Sequence, residues 1–124
     1  MEITELLGKT LTAIEKSQAN DELIFTVDDG TQYKMFHRQD CCEGVSIEDV
    51  NGDLQDLVGS PITQAEESSN SEENKPSEYS ESWTWTFYKL ATIKGYVTIR
   101  WLGESNGYYS ESVDFVKVGS ENDW

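Results

Sequence analysis

The sequence predicts an α+β domain that is β-rich: a mainly antiparallel sheet of about seven strands with one or two short helices. Three observations carry this. The run from Trp83 to Val118 alternates in polarity, is dense in aromatic and β-branched residues, and is cut by Lys94-Gly95 and Asn106-Gly107. Such runs form strands and Asn-Gly between them marks a hairpin, so three antiparallel strands in a meander are expected, carrying most of the large apolar side chains. Leu23–Val27 and Gln32–His37 form a second hairpin across Asp28-Asp29-Gly30-Thr31, where Asp-Gly suits a type I′ turn or a bulged variant. Finally, no helix pairs support a βαβ crossover, which sets a parallel sheet aside.

The remaining elements follow in order. Glu2–Leu7 puts Ile3, Leu6 and Leu7 on one side with acids in its first turn, and Gly8 ends it. A helix this short persists only when docked on the sheet. Thr10 opens a strand through Lys16 in which Leu11 and Ala13 alternate with Thr12 and Ile14, so either face could turn inward. Ser17–Glu22 is polar turn material. Gly44–Glu48 directs Val45 and Ile47 inward and Ser46 and Glu48 outward. Asp53 is placed to N-cap one helical turn, with Asp56 near its positive end and Gly59 and Pro61 as the stop. Pro61–Ala65 reads as an edge strand. Glu66–Ser82 sets six acids against Lys75 among Ser, Asn and Pro76. It buries too little to offset its ordering entropy and is expected to be a mobile acidic loop inside a single domain of residues 1–124.

The formal net charge of −15 is large for 124 residues. Phosphates need Lys and Arg to replace their counterions, so direct nucleic-acid binding is disfavoured, as is an anionic membrane surface. A basic protein would be steered in, including the nucleic-acid-binding surface of a host protein, although acidity also serves plain solubility. Met1–Lys9 lacks a signal peptide's apolar stretch, and no apolar run approaches the roughly 18 residues that span a bilayer. The expectation is a soluble, cytoplasmic protein whose two adjacent cysteines stay reduced. The sequence leaves the oligomeric state open.

His37-Arg38-Gln39-Asp40-Cys41-Cys42-Glu43 gathers the only His and both Cys. His37, Asp40, Cys41, Cys42 and Glu43 are therefore weak metal candidates. Adjacent cysteines point to opposite sides of a strand and chelate one ion poorly, so a strand-end bulge explains them equally well. The same cluster read as Cys/His nucleophilic chemistry lacks any mark of an oxyanion hole. Glu48, Asp49, Asn51, Asp53 and Asp56 are rich in oxygen, but counted from Asp49 the glycine falls fourth and position twelve is Ser60, which fails the EF-hand pattern. Glu104 and Glu111 would face each other across an Asn106-Gly107 hairpin. Arg100, Trp101, Tyr108 and Tyr109 beside them are amphipathic anchors of the kind that interfaces use. Dinucleotide, P-loop, zincin and nucleophile-elbow motifs are all missing, so the sequence predicts no enzyme and no cofactor.

HRQDCCEGVSIEDVNGDLQDLVGSPI and ESWTWTFYKLATIKGYVTIRWLGESNGYYSESVDF together cover about half the chain. In them the chain resembles a family of small bacteriophage and bacterial proteins with no established activity. The resemblance implies a phage or mobile-element setting, in which small acidic proteins often inhibit host defence. The expected function is binding to a protein partner, as an anti-defence (anti-CRISPR or DNA-mimic) inhibitor. Its partner-binding residues would be Glu48, Asp49, Asp53, Asp56, Arg100, Glu104, Asn106, Tyr108, Tyr109 and Glu111. The alternative is a small ligand- or metal-binding domain whose site joins His37–Glu43 to Glu104–Glu111.

Overall fold

The computed structural model describes residues 2–39, 42–70, 81–107 and 110–118. Eight strands form two antiparallel sheets: β1 (Leu11–Lys16), β2 (Glu22–Val27), β3 (Gln32–Phe36), β4 (Gly44–Asn51), β5 (Gln64–Asn70), β6 (Ser82–Thr92), β7 (Gly95–Ser105) and β8 (Asp114–Lys117). The first sheet has the order β1-β2-β3-β8 and the second β4-β7-β6-β5. The β-rich antiparallel class expected from the sequence holds, and the two short helices are single 3-10 turns, Ile3–Leu6 and Leu54–Leu57. Asp53 caps the second of these as expected, accepting from the Gln55 N–H at 2.9 Å.

Both sheets and both turns contribute to one apolar cluster. Phe25, Tyr33 and Phe115 pack ring to ring within the first sheet, with Phe25 edge-on to Phe115 at 6.0 Å and Tyr33 stacked on it at 5.4 Å. The fully buried Trp101 of β7 reaches the other sheet, its Nε1–H donating to the Met35 sulfur at 3.2 Å. The ambiguous polarity of β1 has a local cause. A bulge between Leu11 and Ala13 shifts the register against β2, so Leu11 and Ile14 are the residues that turn inward. A similar bulge at Glu48 extends β4 beyond its expected end to Asn51.

Two expectations require correction. The Trp83–Val118 meander has two strands rather than three. β6 and β7 pair across the two-residue turn Ile93-Lys94, whereas β8 crosses to the other sheet and pairs with β3. Asn106-Gly107 is therefore no hairpin turn but the start of the crossover. The aromatics divide between the two faces: Tyr88 and Trp101 enter the core, while Trp83, Trp85 and Phe87 alternate onto the other face of β6. There the Arg100 guanidinium stands over the Trp85 ring at 4.9 Å. Finally, Glu66–Asn70 belong to β5 and Ser82 to β6, so the expected acidic loop is shorter at both ends. Its residues 71–80 lie outside the described residues.

Candidate functional site

The strand period of two places Ser82, Thr84 and Thr86 on the core-facing side of β6, in line with Tyr88 and Leu90. Their register partners on β5 are Ser69, opposite Thr86, and Glu67, opposite Tyr88. On β7 they are Ser105, Gly103 and Trp101. The inner face of this sheet thus changes from apolar to hydroxyl-bearing at one end, and there residues 110–113, just before β8, lie over it.

Glu111 fastens the crossover. Its Oε1 accepts from the Thr84 hydroxyl at 2.8 Å and its Oε2 from the Ser105 hydroxyl at 2.6 Å. Burial alone would favour the protonated acid, but hydrogen bonds from Ser105, Ser82 and Thr84 outweigh it and hold the carboxyl below the usual glutamate value near 4.5. This group contributes stability that is present above that value and lost as pH falls through the lower folded-state value. In urea titrations between pH 6 and 3, Glu111→Gln should therefore lose less stability on acidification than the wild type; parallel curves would refute it.

A second tie lies behind the first. His37 Nδ1 is 2.7 Å from the Ser112 carbonyl oxygen, and Nε2 is 2.7 Å from Glu43 Oε2. Both side chains are enclosed, at 3% and 0% exposure. A carbonyl oxygen only accepts, so Nδ1 carries a proton, and the Nε2–Oε2 contact then holds one more, on either the imidazolium or the acid. Gln39 Nε2 donates to the Glu43 carbonyl at 2.6 Å. With Gly44 paired to Glu104 and Val45 to Gly103, the structure brings the His37–Glu43 and Glu104–Glu111 segments together.

Two clefts flank the junction. One, of about 390 Å³, is lined by Glu67, Ser69, Thr84, Thr86, Glu111 and Ser112 among others. The other, of about 450 Å³, lies beside the His37–Glu43 dyad and is lined by Asp21, Glu22, Phe36, His37, Gln39 and Ser46 among others.

The sequence-predicted candidates do not form one face. Glu48 and Asp49 sit at the β4 bulge, Asp49 in register with Arg100. Asp53 and Asp56 lie by the β6–β7 turn, the Asp56 carboxylate 3.2 Å from where a Cβ on Gly95 would stand. Glu104 and Asn106 are at the far end of β7, roughly 30 Å away at about 3.4 Å per residue. Glu111 turns to hydroxyls instead of facing Glu104 across a hairpin. Asp40, Cys41, Tyr108 and Tyr109 lie outside the described residues.

Among the metal candidates, His37 has both ring nitrogens engaged by protein atoms, and Cys42 is disulfide-bonded, against the expectation of a reduced thiol. Peptide mapping after iodoacetamide should find Cys42 unmodified until a reductant is added; labelling without reductant would contradict it. Among the described residues no group of three or more His, Cys, Asp and Glu could hold a metal ion, and no helix is long and apolar enough to cross a membrane.

Sequence reasoning missed Glu67, Tyr88 and the inward Ser82-Thr84-Thr86 row. The alternation was visible, but which half of it turns inward is not set by the alternation itself. It also missed the exposed pair at the β6–β7 turn, Ile93 at 89% and Tyr96 at 74%.

A family model for a domain of unknown function, DUF7448, matches residues 4–115. The chain belongs to the DUF7448 family. The match runs from the first 3-10 turn to β8, so the crossover, the dyad and both clefts all lie within the DUF7448 domain. No curated protein and no solved structure matches the chain.

Proposed function

We propose that this DUF7448 protein acts by binding a basic protein partner. The observation that carries the reading is the chain's charge, 24 acids against nine Lys and Arg. Several of the few cations are also engaged locally: Lys34 pairs with Glu22 at 3.3 Å, Lys94 donates to the Val58 carbonyl at 2.6 Å, and Arg100 covers Trp85. A surface of this sign attracts Lys/Arg-rich grooves and repels nucleic acid. The resemblance to phage proteins extends the proposal to an inhibitor of host defence that occupies a nucleic-acid-binding surface. His37, the one imidazole available for general acid–base work, is enclosed and spent on holding the crossover, which favours binding over catalysis.

The test is affinity capture from defence-carrying bacteria on immobilised protein, followed by elution with salt. The expected partner is a nucleic-acid-binding protein that is released by about 0.5 M salt, where surface attraction is screened. Its binding to DNA or RNA should be blocked by a stoichiometric amount of this protein. Retention undiminished at that salt, or unblocked nucleic-acid binding, would contradict the proposal.

The alternative, a small-ligand site joining His37–Glu43 to Glu104–Glu111, draws on the observed meeting of those segments. Elemental analysis and native mass spectrometry of the purified protein discriminate it, since a stoichiometric bound species would promote it over the first reading.

A further inference from the structure

At the opposite end of β7 from the crossover, the β6–β7 hairpin finishes in two large side chains that the fold leaves in the open. Ile93, in the two-residue turn, is 89% exposed, and Tyr96, just beyond it on β7, is 74% exposed. One apolar side chain on a surface is ordinary. Two together at the tip of one hairpin, one of them a tyrosine, offer a partner an anchor of the kind that carries binding energy.

The tip is held in place before any partner arrives. The Thr92 hydroxyl donates to the Asp56 carbonyl and accepts from the Lys94 N–H at 3.1 Å. The Lys94 ammonium folds back onto the Val58 carbonyl at 2.6 Å, and the Thr63 N–H donates to the Ala91 carbonyl at 2.8 Å. Gly52 lies directly on the hairpin, since a Cβ there would come within 2.6 Å of the Tyr96 carbonyl oxygen. A backbone fixed in this way has little freedom left to lose on binding. The same contacts set Asp53, exposed, and Asp56, half-buried, beside the hairpin end. An apolar centre within a polar rim is how interfaces are built, and here the rim is acidic.

We infer that the β6–β7 tip is a docking contact for a protein partner, with Ile93 and Tyr96 entering an apolar surface bordered by Lys or Arg. The sign of that border follows from charge complementarity: Asp53 and Asp56 stand beside the anchors, and the tip's own cation, Lys94, is turned back on Val58. A second copy of this chain docked tip to tip would bring like carboxylates together, and an anionic bilayer would repel them, so neither is the occupant. The inference rests on the proposed basic partner and adds to it the surface that makes the contact.

The first test needs no natural partner. Amide resonances of the isotope-labelled full chain are followed during titration with an amphipathic Leu–Lys peptide, which presents an apolar stripe between cations, and with a Ser–Lys peptide of equal charge. Saturable shifts centred on Asp53, Asp56 and residues 93–97 are expected with the first peptide, and only weak, dispersed shifts with the second. Ile93→Ser combined with Tyr96→Ser should weaken the Leu–Lys peptide at least about tenfold, the loss of an anchor, while Tyr96→Phe keeps most of the affinity. Both side chains are exposed, so Tm should stay within about 2 °C in the double variant. Asp53→Asn retains a capping side chain and removes one charge; it should weaken binding about two- to threefold at low salt and not at about 0.5 M. Shifts centred elsewhere, equal binding of the Ser–Lys peptide, or an unchanged affinity in the double variant would each overturn the inference. Self-association abolished by the double variant, or adsorption to anionic vesicles through residues 93–97, would overturn it by assigning the tip another occupant. Capture from defence-carrying bacteria separates the two readings. A basic partner held equally by the wild type and the double variant overturns the tip as the contact and leaves the proposed function standing. Peptide binding at the tip with no basic partner captured contradicts the proposed function alone.

Discussion

Glu43→Ala is expected to lower the free energy of unfolding by about 3–5 kcal/mol, the usual result of removing one member of a buried hydrogen-bonded pair. The cost comes from what is left behind. His37 stays enclosed with Nδ1 committed to the Ser112 carbonyl, and Nε2 loses its only hydrogen-bonded contact in a site that water does not reach. Against a typical stability of about 5–15 kcal/mol for a single domain, this is a large share. Glu43→Gln should cost much less, because the amide can donate to a neutral Nε2 in the same geometry. Replacing both partners with apolar residues, as in His37→Phe with Glu43→Leu, should recover much of the single-mutant loss, since the pair's own net contribution is small. Urea denaturation of the four variants decides it. A loss below about 1 kcal/mol for Glu43→Ala, or a double variant worse than the single, would mean that the dyad is not the clasp described above.

How much of this was legible beforehand divides along physical lines. Strand existence was legible wherever turn chemistry and period agreed, as in the β2–β3 hairpin around Asp29-Gly30 and in β4 up to Ile47. The Asp53 cap was legible because capping depends on neighbours in sequence. What could not be read was which sheet a strand would join. Asn106-Gly107 satisfies every local rule for a hairpin, yet the next strand pairs with Tyr33–Phe36, some 80 residues earlier in the chain. That choice is made by Phe115 packing on Phe25 and Tyr33, a long-range contact with no local signature. The phase of β6 was not legible for a related reason. Trp83-Thr84-Trp85-Thr86-Phe87 assigns its aromatics to the core on transfer energy alone. The inner face at that end is instead occupied by the crossover and by Glu111, which needs hydroxyls. The His37–Glu43 cluster was singled out correctly as unusual, but its residue types suggested a metal, and only the fold shows that its carboxylate and imidazole satisfy each other.

Gly103→Ala is the second substitution expected to have a large effect, a loss of about 3 kcal/mol. The reason is space, not backbone conformation. A Cβ at position 103 would press on the Glu111 carbonyl oxygen and stand 2.8 Å from the Glu111 Cβ and 3.0 Å from its carbonyl carbon. Two of these contacts are backbone, so no flexible side chain can swing aside. Either β7 bends or the crossover lifts, and if it lifts, Glu111 leaves the hydroxyls of Ser82, Thr84 and Ser105. That gives the prediction a second readout. Gly103→Ala should also flatten the dependence of stability on acid pH, as Glu111→Gln does, and in the double variant the two effects should fall short of their sum because they act on one contact. Gly44→Ala is the matched control: Gly44 pairs with Glu104, the residue next to Gly103, and a Cβ there meets nothing within 4 Å. It should change stability by no more than about 0.5 kcal/mol, as open surface positions do. If Gly103→Ala behaved like Gly44→Ala, the crossover would not be seated on β7, and the hydroxyl-lined cleft that Glu111 helps to wall would lose one side.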